Sequence, residues 1–311
     1  MACPLAALAQ VSETKQRIGL LTAYPEDDPE SKVWIAAFLG ALPAPARGLV
    51  HQRWASGDVQ RIQLFAEELI NMHPDVILAA TTPVVAGLLN KTTEVPIIFV
   101  NVADPIGSGF VQSLGRPAGN VTGFINTEAS LGSKSLGLLR EIFPRISHAW
   151  LMYNPDTAPY VNYYKNPLEQ AASMFNIGLS MSEVHSKNEI EWAVARISKE
   201  NSHGIIAMND SFISINRKVL AESAALHRVP TISASPRFAH DGGLIANGTD
   251  HVEIYRRAAG YVMRILRGEK PGDLPVQLPT RFKMIINLPA ANSLGLTVPA
   301  ELLARADEII D

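Results

Sequence analysis

From residue 17 onward, short apolar runs typical of β-strands alternate with longer segments whose apolar residues have helical spacing. This alternation predicts a mostly parallel sheet flanked by helices, because parallel strands need a long crossover connection that is usually a helix. In the first half of the chain the predicted strands are residues 17–21, 49–54, 76–80 and 97–100, and the predicted helices are residues 31–42, 59–71 and 84–90. Asp58 is predicted to cap the second of these helices.

The same alternation begins again in the second half of the chain. A predicted helix at residues 131–142 precedes strands at 149–153, 179–183, 204–208 and 231–233, which are separated by helices at 160–176, 189–200 and 214–227. A long helix at residues 251–266, a Gly/Pro-rich linker at 268–275 and a strand at 282–286 follow. The 311 residues suit two domains of about 150 residues each, so the sequence predicts two similar α/β lobes.

Composition restricts the class of protein. Hydrophobic residues make up 47% of the chain and charged residues 18%, which is typical of a globular protein with a substantial core. The net charge of -3 and the lack of a Lys/Arg cluster give no indication of a nucleic-acid partner. No apolar run reaches the eighteen or so residues of a transmembrane helix.

The N-terminus predicts export. Ala7-Leu8-Ala9 before Gln10 is an A-x-A cleavage motif, so residues 1–9 are interpreted as the end of a signal peptide that is truncated in this chain. The predicted location is therefore the periplasm. The alternative is an Ala-rich disordered start. Cys3 is the only cysteine, which excludes an intrachain disulfide.

Polar side chains lie just beyond the predicted strands, where ligands bind in open parallel sheets. Hydroxyls, amides and carboxylates predominate there and basic residues are scarce, which favours a neutral, zwitterionic or amine-bearing ligand over a phosphate. The candidate ligand-binding residues are Tyr24, Thr81, Thr82, Asp104, Asn154, Tyr160, Asn209, Asp210, Ser235 and Asn247.

Several candidates have two interpretations. Thr81 and Thr82 precede a helix, so they either hold a carboxylate together with the helix N-terminal amides or simply cap that helix. Asp104 either neutralises an ammonium group or forms an Asx-turn, and the same alternatives apply to Asp210. Tyr24 and Tyr160 are predicted to face a planar ligand, because tyrosine offers a flat apolar face with one polar edge. The neighbouring tyrosines at positions 163 and 164 are predicted to pack their helix on the sheet.

Several segments together resemble a known family: residues 74–83, 95–99, 103–107, 116–123 and the last thirty or so, from Pro279 to Ile310. From about residue 17 to its end the chain resembles bacterial ABC transporter substrate-binding proteins, which include the tryptophan and tyrosine uptake binding proteins. The resemblance implies a two-lobed periplasmic-binding-protein type I fold whose chain crosses between lobes near residues 125, 247 and 278. The N-terminal lobe would comprise residues 17–125 plus 248–278, and the C-terminal lobe residues 126–247 plus 279–311.

The resemblance also implies a function. The protein would be a monomer that captures an amino acid-like or aromatic carboxylate ligand in the interlobe cleft and delivers it to an ABC permease. It would catalyse no reaction and would need no cofactor or metal.

Two other functions stay open at this point. A ligand-sensing module of the same fold would need an attached DNA-binding or membrane segment. A two-lobed α/β enzyme would need paired acid–base groups across the cleft. The sequence contains no phosphate-binding G-x-x-x-x-G-K-[ST] loop, no G-x-S-x-G elbow and no H-E-x-x-H motif, and its eight histidines are dispersed.

Overall fold

The computed structural model describes residues 16–311, so the predicted cleavage motif at residues 7–9 lies outside the described residues. The first lobe contains a five-stranded parallel sheet with the strand order β2-β1-β3-β4-β5. Its strands are β1 (Ile18–Thr22), β2 (Val50–Trp54), β3 (Val76–Ala80), β4 (Ile97–Val102) and β5 (Val121–Ile125). All except β2 are fully buried, as expected for parallel strands covered by helices on both faces.

Five helices cover this sheet: α1 (Pro29–Ala41), α2 (Ala44–Arg47), α3 (Val59–Asn71), α4 (Thr82–Leu89) and α11 (His251–Leu266), which returns from late in the chain. Asp28 caps α1 by accepting hydrogen bonds from the backbone N–H groups of Glu30 and Ser31. Asp58 caps α3 in the same way, which confirms that prediction. Helix α11 packs against α1, so residues about 220 positions apart share one core.

The second lobe contains a seven-stranded sheet with the order β12-β11-β10-β9-β8-β6-β7. Its strands are β6 (His148–Tyr153), β7 (Gly178–Glu183), β8 (His203–Ala207), β9 (Thr231–Ser233), β10 (Ile245–Thr249), β11 (Phe282–Asn287) and β12 (Glu308–Ile310). All neighbouring strands are parallel except β10 and β11, which are antiparallel. The two mostly parallel sheets confirm the predicted two-lobed α/β fold.

The helices of the second lobe are α5 (Leu131–Ile142), α6 (Val161–Phe175), α7 (Lys187–Ile197), α8 (Ser211–Ile215), α9 (Arg217–Leu226), α10 (Arg237–His240), α12 (Leu288–Ser293) and α13 (Ala300–Arg305). The single helix predicted over residues 214–227 was wrong, because Asn216 leaves helical geometry and separates α8 from α9. No helix within residues 16–311 is both long enough and apolar enough to cross a membrane.

The chain passes between the lobes in three regions: after β5, between β10 and α11, and before β11. Strand β10 belongs entirely to the second sheet, so the predicted boundary between residues 247 and 248 falls inside this strand. The exact division of the chain into lobes remains a prediction.

Candidate functional site

A cavity of about 430 Å³ lies between the lobes. The first lobe contributes the start of α4 and the segment between β4 and β5, and the second lobe contributes the start of α6 and the residues before it. The lining residues are Thr82, Pro83, Ala86, Asp104, Gly107, Ser108 and Phe110 from the first lobe and Asp156, Pro159, Tyr160, Asn162 and Tyr163 from the second. The volume falls in the range of ordinary small-molecule sites.

The threonine pair sits at the N-terminus of α4, where β3 ends. Thr81 is the N-cap residue, yet its side chain makes no capping hydrogen bond. The hydroxyl oxygens of Thr81 and Thr82 are both buried, and neither has a hydrogen-bond partner within residues 16–311. Thr82 lines the cavity, whereas Thr81 does not. An unpaired buried hydroxyl costs free energy, so a ligand that reached the Thr82 hydroxyl would recover a hydrogen bond.

The backbone at Thr81 is strained. Its φ is +95°, a region that a β-branched residue rarely adopts. Such a conformation costs on the order of 1–3 kcal/mol and persists only where the surrounding structure enforces it. The strain turns the chain sharply from β3 into α4 and brings the helix N-terminus to the cavity.

Asp104 contributes a carboxylate to the cavity from the segment after β4. One of its oxygens accepts a hydrogen bond of 2.8 Å from the Gly107 backbone N–H, so the predicted Asx-type turn is present. The same side chain also lines the cavity, and the two interpretations are therefore compatible. Asp156 lies in the opposite wall. Among the described residues, no Lys, Arg or His lines the cavity, which makes its electrostatic character acidic.

Aromatic rings form the apolar part of the wall. Tyr160 is buried and donates a 2.8 Å hydrogen bond to the Asn209 carbonyl. Burial raises the pKa of Tyr160 well above its usual value, so its hydroxyl stays a neutral donor. Tyr163 is partly buried and lines the cavity, contrary to the prediction that it only packs its helix. Tyr164 is fully buried beside Gly132 and has the predicted packing role.

Tyr24 lies outside the cavity lining, in an aromatic cluster of the first lobe. Its ring meets the Trp34 ring edge-on, with centroids 5.2 Å apart. Trp34 also stacks on His251 at 4.4 Å, and the Nδ1 atom of His251 lies 2.6 Å from the Asn101 side-chain oxygen. Burial lowers the pKa of His251 to about 4, so this imidazole is neutral at pH 7.

Asp210 also lies outside the cavity lining and holds the second-lobe loops together. It is buried and accepts hydrogen bonds from the backbone N–H groups of Ile213 (2.8 Å) and Asn154 (3.2 Å) and from the Thr157 hydroxyl (3.1 Å). Burial raises the pKa of Asp210 to about 6 despite these donors. It caps α8, which corresponds to the turn-forming alternative.

The remaining predicted residues are not part of the cavity lining. Asn154 accepts a 2.8 Å hydrogen bond from the backbone of Asp156, and Asn209 donates one of 3.4 Å to the Asn126 carbonyl. Ser235 donates to Glu30 across the lobe boundary at 2.8 Å. Asn247 is half-buried within β10.

The sequence interpretation missed several lining residues, of which Phe110 and Ser108 are the most informative. Both belong to the loop after β4 that begins at Asp104 and contains Gly107 and Gly109. Gly109 has a φ of +73°, which lets the loop turn back and direct Phe110 toward the cavity. The glycine spacing immediately after a buried strand was the available signal for a ligand-facing loop.

Comparison with known proteins identifies the family. Residues 47–310 match the family model described as "ABC transporter substrate binding protein". The chain belongs to this family. A "Tyrosine-binding protein" from Clostridioides difficile (strain R20291) is 24% identical over 242 residues, which cover 78% of this chain and 69% of the relative.

Solved structures share the fold. A conserved domain protein from Vibrio cholerae is 26% identical, with a TM-score of 0.86 over 95% of this chain and 99% of that one. An ABC domain from Streptococcus pneumonia in complex with L-Trp is 23% identical, with a TM-score of 0.84 over 94% of this chain and 100% of that one. The predicted family and its function, solute binding for an ABC transporter, are thereby confirmed.

Proposed function

We propose that this ABC transporter substrate-binding protein captures an aromatic α-amino acid in the interlobe cavity. It acts in the periplasm, as a monomer, and delivers the ligand to the permease of its transporter. The observation that carries the proposal is the lining of the cavity, which combines a helix N-terminus, two carboxylates and an aromatic wall from both lobes.

The N-terminus of α4 is suited to the ligand carboxylate. Backbone N–H groups in the first turn of a helix have no partner within the helix, and the helix dipole favours negative charge there. Thr82 belongs to that same turn and lines the cavity, and its buried hydroxyl has no hydrogen-bond partner within residues 16–311. A carboxylate at this position would pair with both kinds of donor.

The acidic character of the cavity is suited to the ligand ammonium group. Asp104 provides a carboxylate from the first lobe and Asp156 provides one from the second. An unpaired anion in the ligand would be repelled by this pair, whereas an ammonium group would be attracted. A zwitterion satisfies both ends of the cavity, with its carboxylate at α4 and its ammonium group toward Asp104.

The aromatic wall is suited to a planar side chain. Phe110 from the first lobe and Tyr160 and Tyr163 from the second line the same cavity. Offset or edge-to-face contacts between rings contribute about 0.5–1.5 kcal/mol beyond the area they bury. The relatives that bear the descriptions "Tyrosine-binding protein" and "in complex with L-Trp" support this side-chain class.

Contacts from both lobes to one ligand give a mechanism for capture. A ligand that touches Thr82 in the first lobe and Tyr163 in the second makes all its contacts only when the lobes are together. Binding therefore shifts the equilibrium from open to closed by hinge motion at the three crossovers. The permease would recognise the closed form, and the chain would catalyse no reaction.

A ligand screen tests this function. L-tryptophan, L-tyrosine and L-phenylalanine should each raise the melting temperature, by about 4 °C at a hundred times the dissociation constant, where the ligand adds about 2.7 kcal/mol. Indole-3-propionate lacks the ammonium group and tryptamine lacks the carboxylate, so each should bind more weakly by calorimetry. A response to sugars or phosphate alone, or chemical conversion of the amino acid, would overturn the proposal.

Two variants sharpen the screen. Asp104→Asn keeps the acceptor for the Gly107 N–H but removes the charge, so L-tryptophan should bind about ten- to a hundredfold more weakly. Indole-3-propionate has no ammonium group and its carboxylate would be repelled less, so it should bind this variant at least as tightly as wild type. Asp27→Asn, at an exposed position outside the cavity lining, is the control and should change neither affinity. Equal affinity of wild type and Asp104→Asn for L-tryptophan would place the ammonium group elsewhere.

A further inference from the structure

A buried cluster of charged side chains joins the two lobes at a place that does not line the cavity. Asp28 and Glu30 lie at the start of α1 in the first lobe, and Arg217 lies at the start of α9 in the second. The exposed fractions of these residues are 7%, 8% and 4%. Charged groups are seldom buried to this extent unless they are paired, so the cluster requires an explanation.

Four contacts join these carboxylates to the second lobe, and two of them are short hydrogen bonds of 2.8 Å. Arg217 donates from Nη1 to an Asp28 carboxylate oxygen at 2.8 Å, and its Nε lies 3.9 Å from a Glu30 oxygen. The Ser235 hydroxyl donates to Glu30 at 2.8 Å, and the Arg237 backbone N–H donates to it at 3.4 Å. One guanidinium, one hydroxyl and one backbone amide of the second lobe thus contact the two carboxylates of the first lobe.

Arg217 and Asp28 are also fixed within their own lobes. Arg217 donates to the Ser214 carbonyl at 2.8 Å, and its Nε lies 3.1 Å from an Asp241 carboxylate oxygen. Asp28 accepts hydrogen bonds from the first backbone N–H groups of α1. When the lobes separate, these internal contacts can remain while the contacts across the boundary must break. The cluster therefore stabilises the arrangement of the two lobes relative to each other more than it stabilises the fold of either lobe.

The free-energy cost of removing Arg217 differs between the closed and the open form of the protein. In the closed arrangement, Asp28 and Glu30 are shielded from water, so without Arg217 two negative charges would be buried without the cation that now lies beside them. In an open arrangement water reaches both carboxylates. Loss of the arginine consequently destabilises the closed form and leaves the open form almost unchanged.

We propose that Arg217, Asp28 and Glu30 form a latch that holds the lobes together before any ligand arrives. Since none of the three lines the cavity, the latch sets ligand affinity through the fraction of closed molecules and not through contact with the ligand. Arg217 is a positioning residue, and its effect is separable from that of the cavity residues.

The test uses protein without ligand, so it is independent of the proposed ligand class. Arg217→Met should increase the radius of gyration measured by small-angle X-ray scattering, while the far-UV circular dichroism stays that of folded protein. Lys218→Met is the matched control. This neighbouring lysine on α9 is exposed and, within residues 16–311, its one ion pair is with Glu222 in its own lobe, so the radius should equal that of wild type.

A rescue variant separates a latch from a merely structural role. In the triple variant Asp28→Asn, Glu30→Gln and Arg217→Met the two first-lobe carboxylates are gone, Asp241 keeps its ion pair with Arg237, and asparagine still caps α1. Its radius should return toward that of wild type. If Arg217→Met fails to fold, Arg217→Lys, which keeps one charge but loses the forked geometry, should give an intermediate radius. A wild-type radius in Arg217→Met or Arg217→Lys, or no recovery in the triple variant, would overturn the latch.

Discussion

Individual residues in this cleft serve structure and binding at once. Asp104 forms a turn through one carboxylate oxygen and still presents its charge to the cavity. Thr81 tolerates a φ of +95° in order to turn the chain into α4. Asp210, by contrast, uses its acceptor sites internally and lies outside the lining. Residues of the same type at equivalent strand ends therefore have different roles, which depend on how many partners their own lobe supplies.

The raised pKa of Asp210 predicts a pH dependence of stability. Its pKa is about 6 in the folded protein and about 3.9 in an unfolded chain, so between these values the folded state binds a proton that the unfolded state does not. Stability should therefore fall as pH rises from about 4 to about 6, by as much as about 3 kcal/mol from this group.

Asp210→Asn keeps the capping oxygen and removes the titration. Urea unfolding at a series of pH values should show that wild type loses stability relative to this variant across that window. If the difference in unfolding free energy between the two proteins stayed constant from pH 4 to pH 6.5, the raised pKa of Asp210 would be contradicted.

At the scale of elements, close backbone approach restricts which residues the strands tolerate. Strand β5 contains Gly123, where an added Cβ would lie 2.1 Å from the Phe99 carbonyl oxygen of neighbouring β4. Strand β10 contains Gly248, where an added Cβ would lie 1.7 Å from the Ala234 carbonyl oxygen. Both glycines lie near crossovers between the lobes. The strand ends are therefore tightly packed where the chain leaves each lobe.

Gly248→Ala should destabilise the protein by at least about 2 kcal/mol, because the clash is with backbone and not with a flexible side chain. Gly260→Ala is the matched control. It lies on the exposed face of α11 with nothing within 4 Å of the added Cβ, so it should stabilise by about 0.5–1 kcal/mol. Thermal unfolding of the two variants measures both effects, and equal melting temperatures would refute the packing argument.

At the scale of the whole molecule, burial of charge couples lobe closure to pH. Burial raises the pKa of Glu30 even though Arg217, Ser235 and the Arg237 backbone oppose the shift; nearby Asp28 adds to it. In an open arrangement Glu30 is solvated and its pKa returns toward the ordinary value. The closed form therefore binds a proton more tightly than the open form, so a fall in pH favours closure and a rise in pH favours opening.

We expect the radius of gyration of the ligand-free protein to decrease as pH is lowered from 7.5 to 5. Glu30→Gln carries no titrating group and should show a smaller change over the same range. Scattering at matched ionic strength measures the effect and separates it from screening. A larger radius at pH 5 than at pH 7.5 in wild type would have the opposite sign and would contradict the coupling.

The sequence by itself determined the elements and the family. The spacing of apolar residues along a segment indicates whether that segment forms a strand or a helix, and this spacing is visible in the sequence. Most strands and helices were therefore predicted close to their observed bounds. Asp58 was predicted as a cap because capping is a local interaction. The glycine in β5 interrupted its apolar pattern, and that strand was missed. Thr82, Asp104 and Tyr160 were predicted as candidates and line the cavity, since parallel strands end at one edge of a sheet.

Tertiary structure decided everything that depends on the placement of one element against another. The sequence had no means of pairing Arg217 with Asp28, 189 residues away, or of assigning Ser235 to Glu30 in the other lobe. It equally had no means of separating Tyr163, which lines the cavity, from buried Tyr164 next to it. Such contacts arise from the relative position of two lobes joined by three crossovers, and no local periodicity encodes that position.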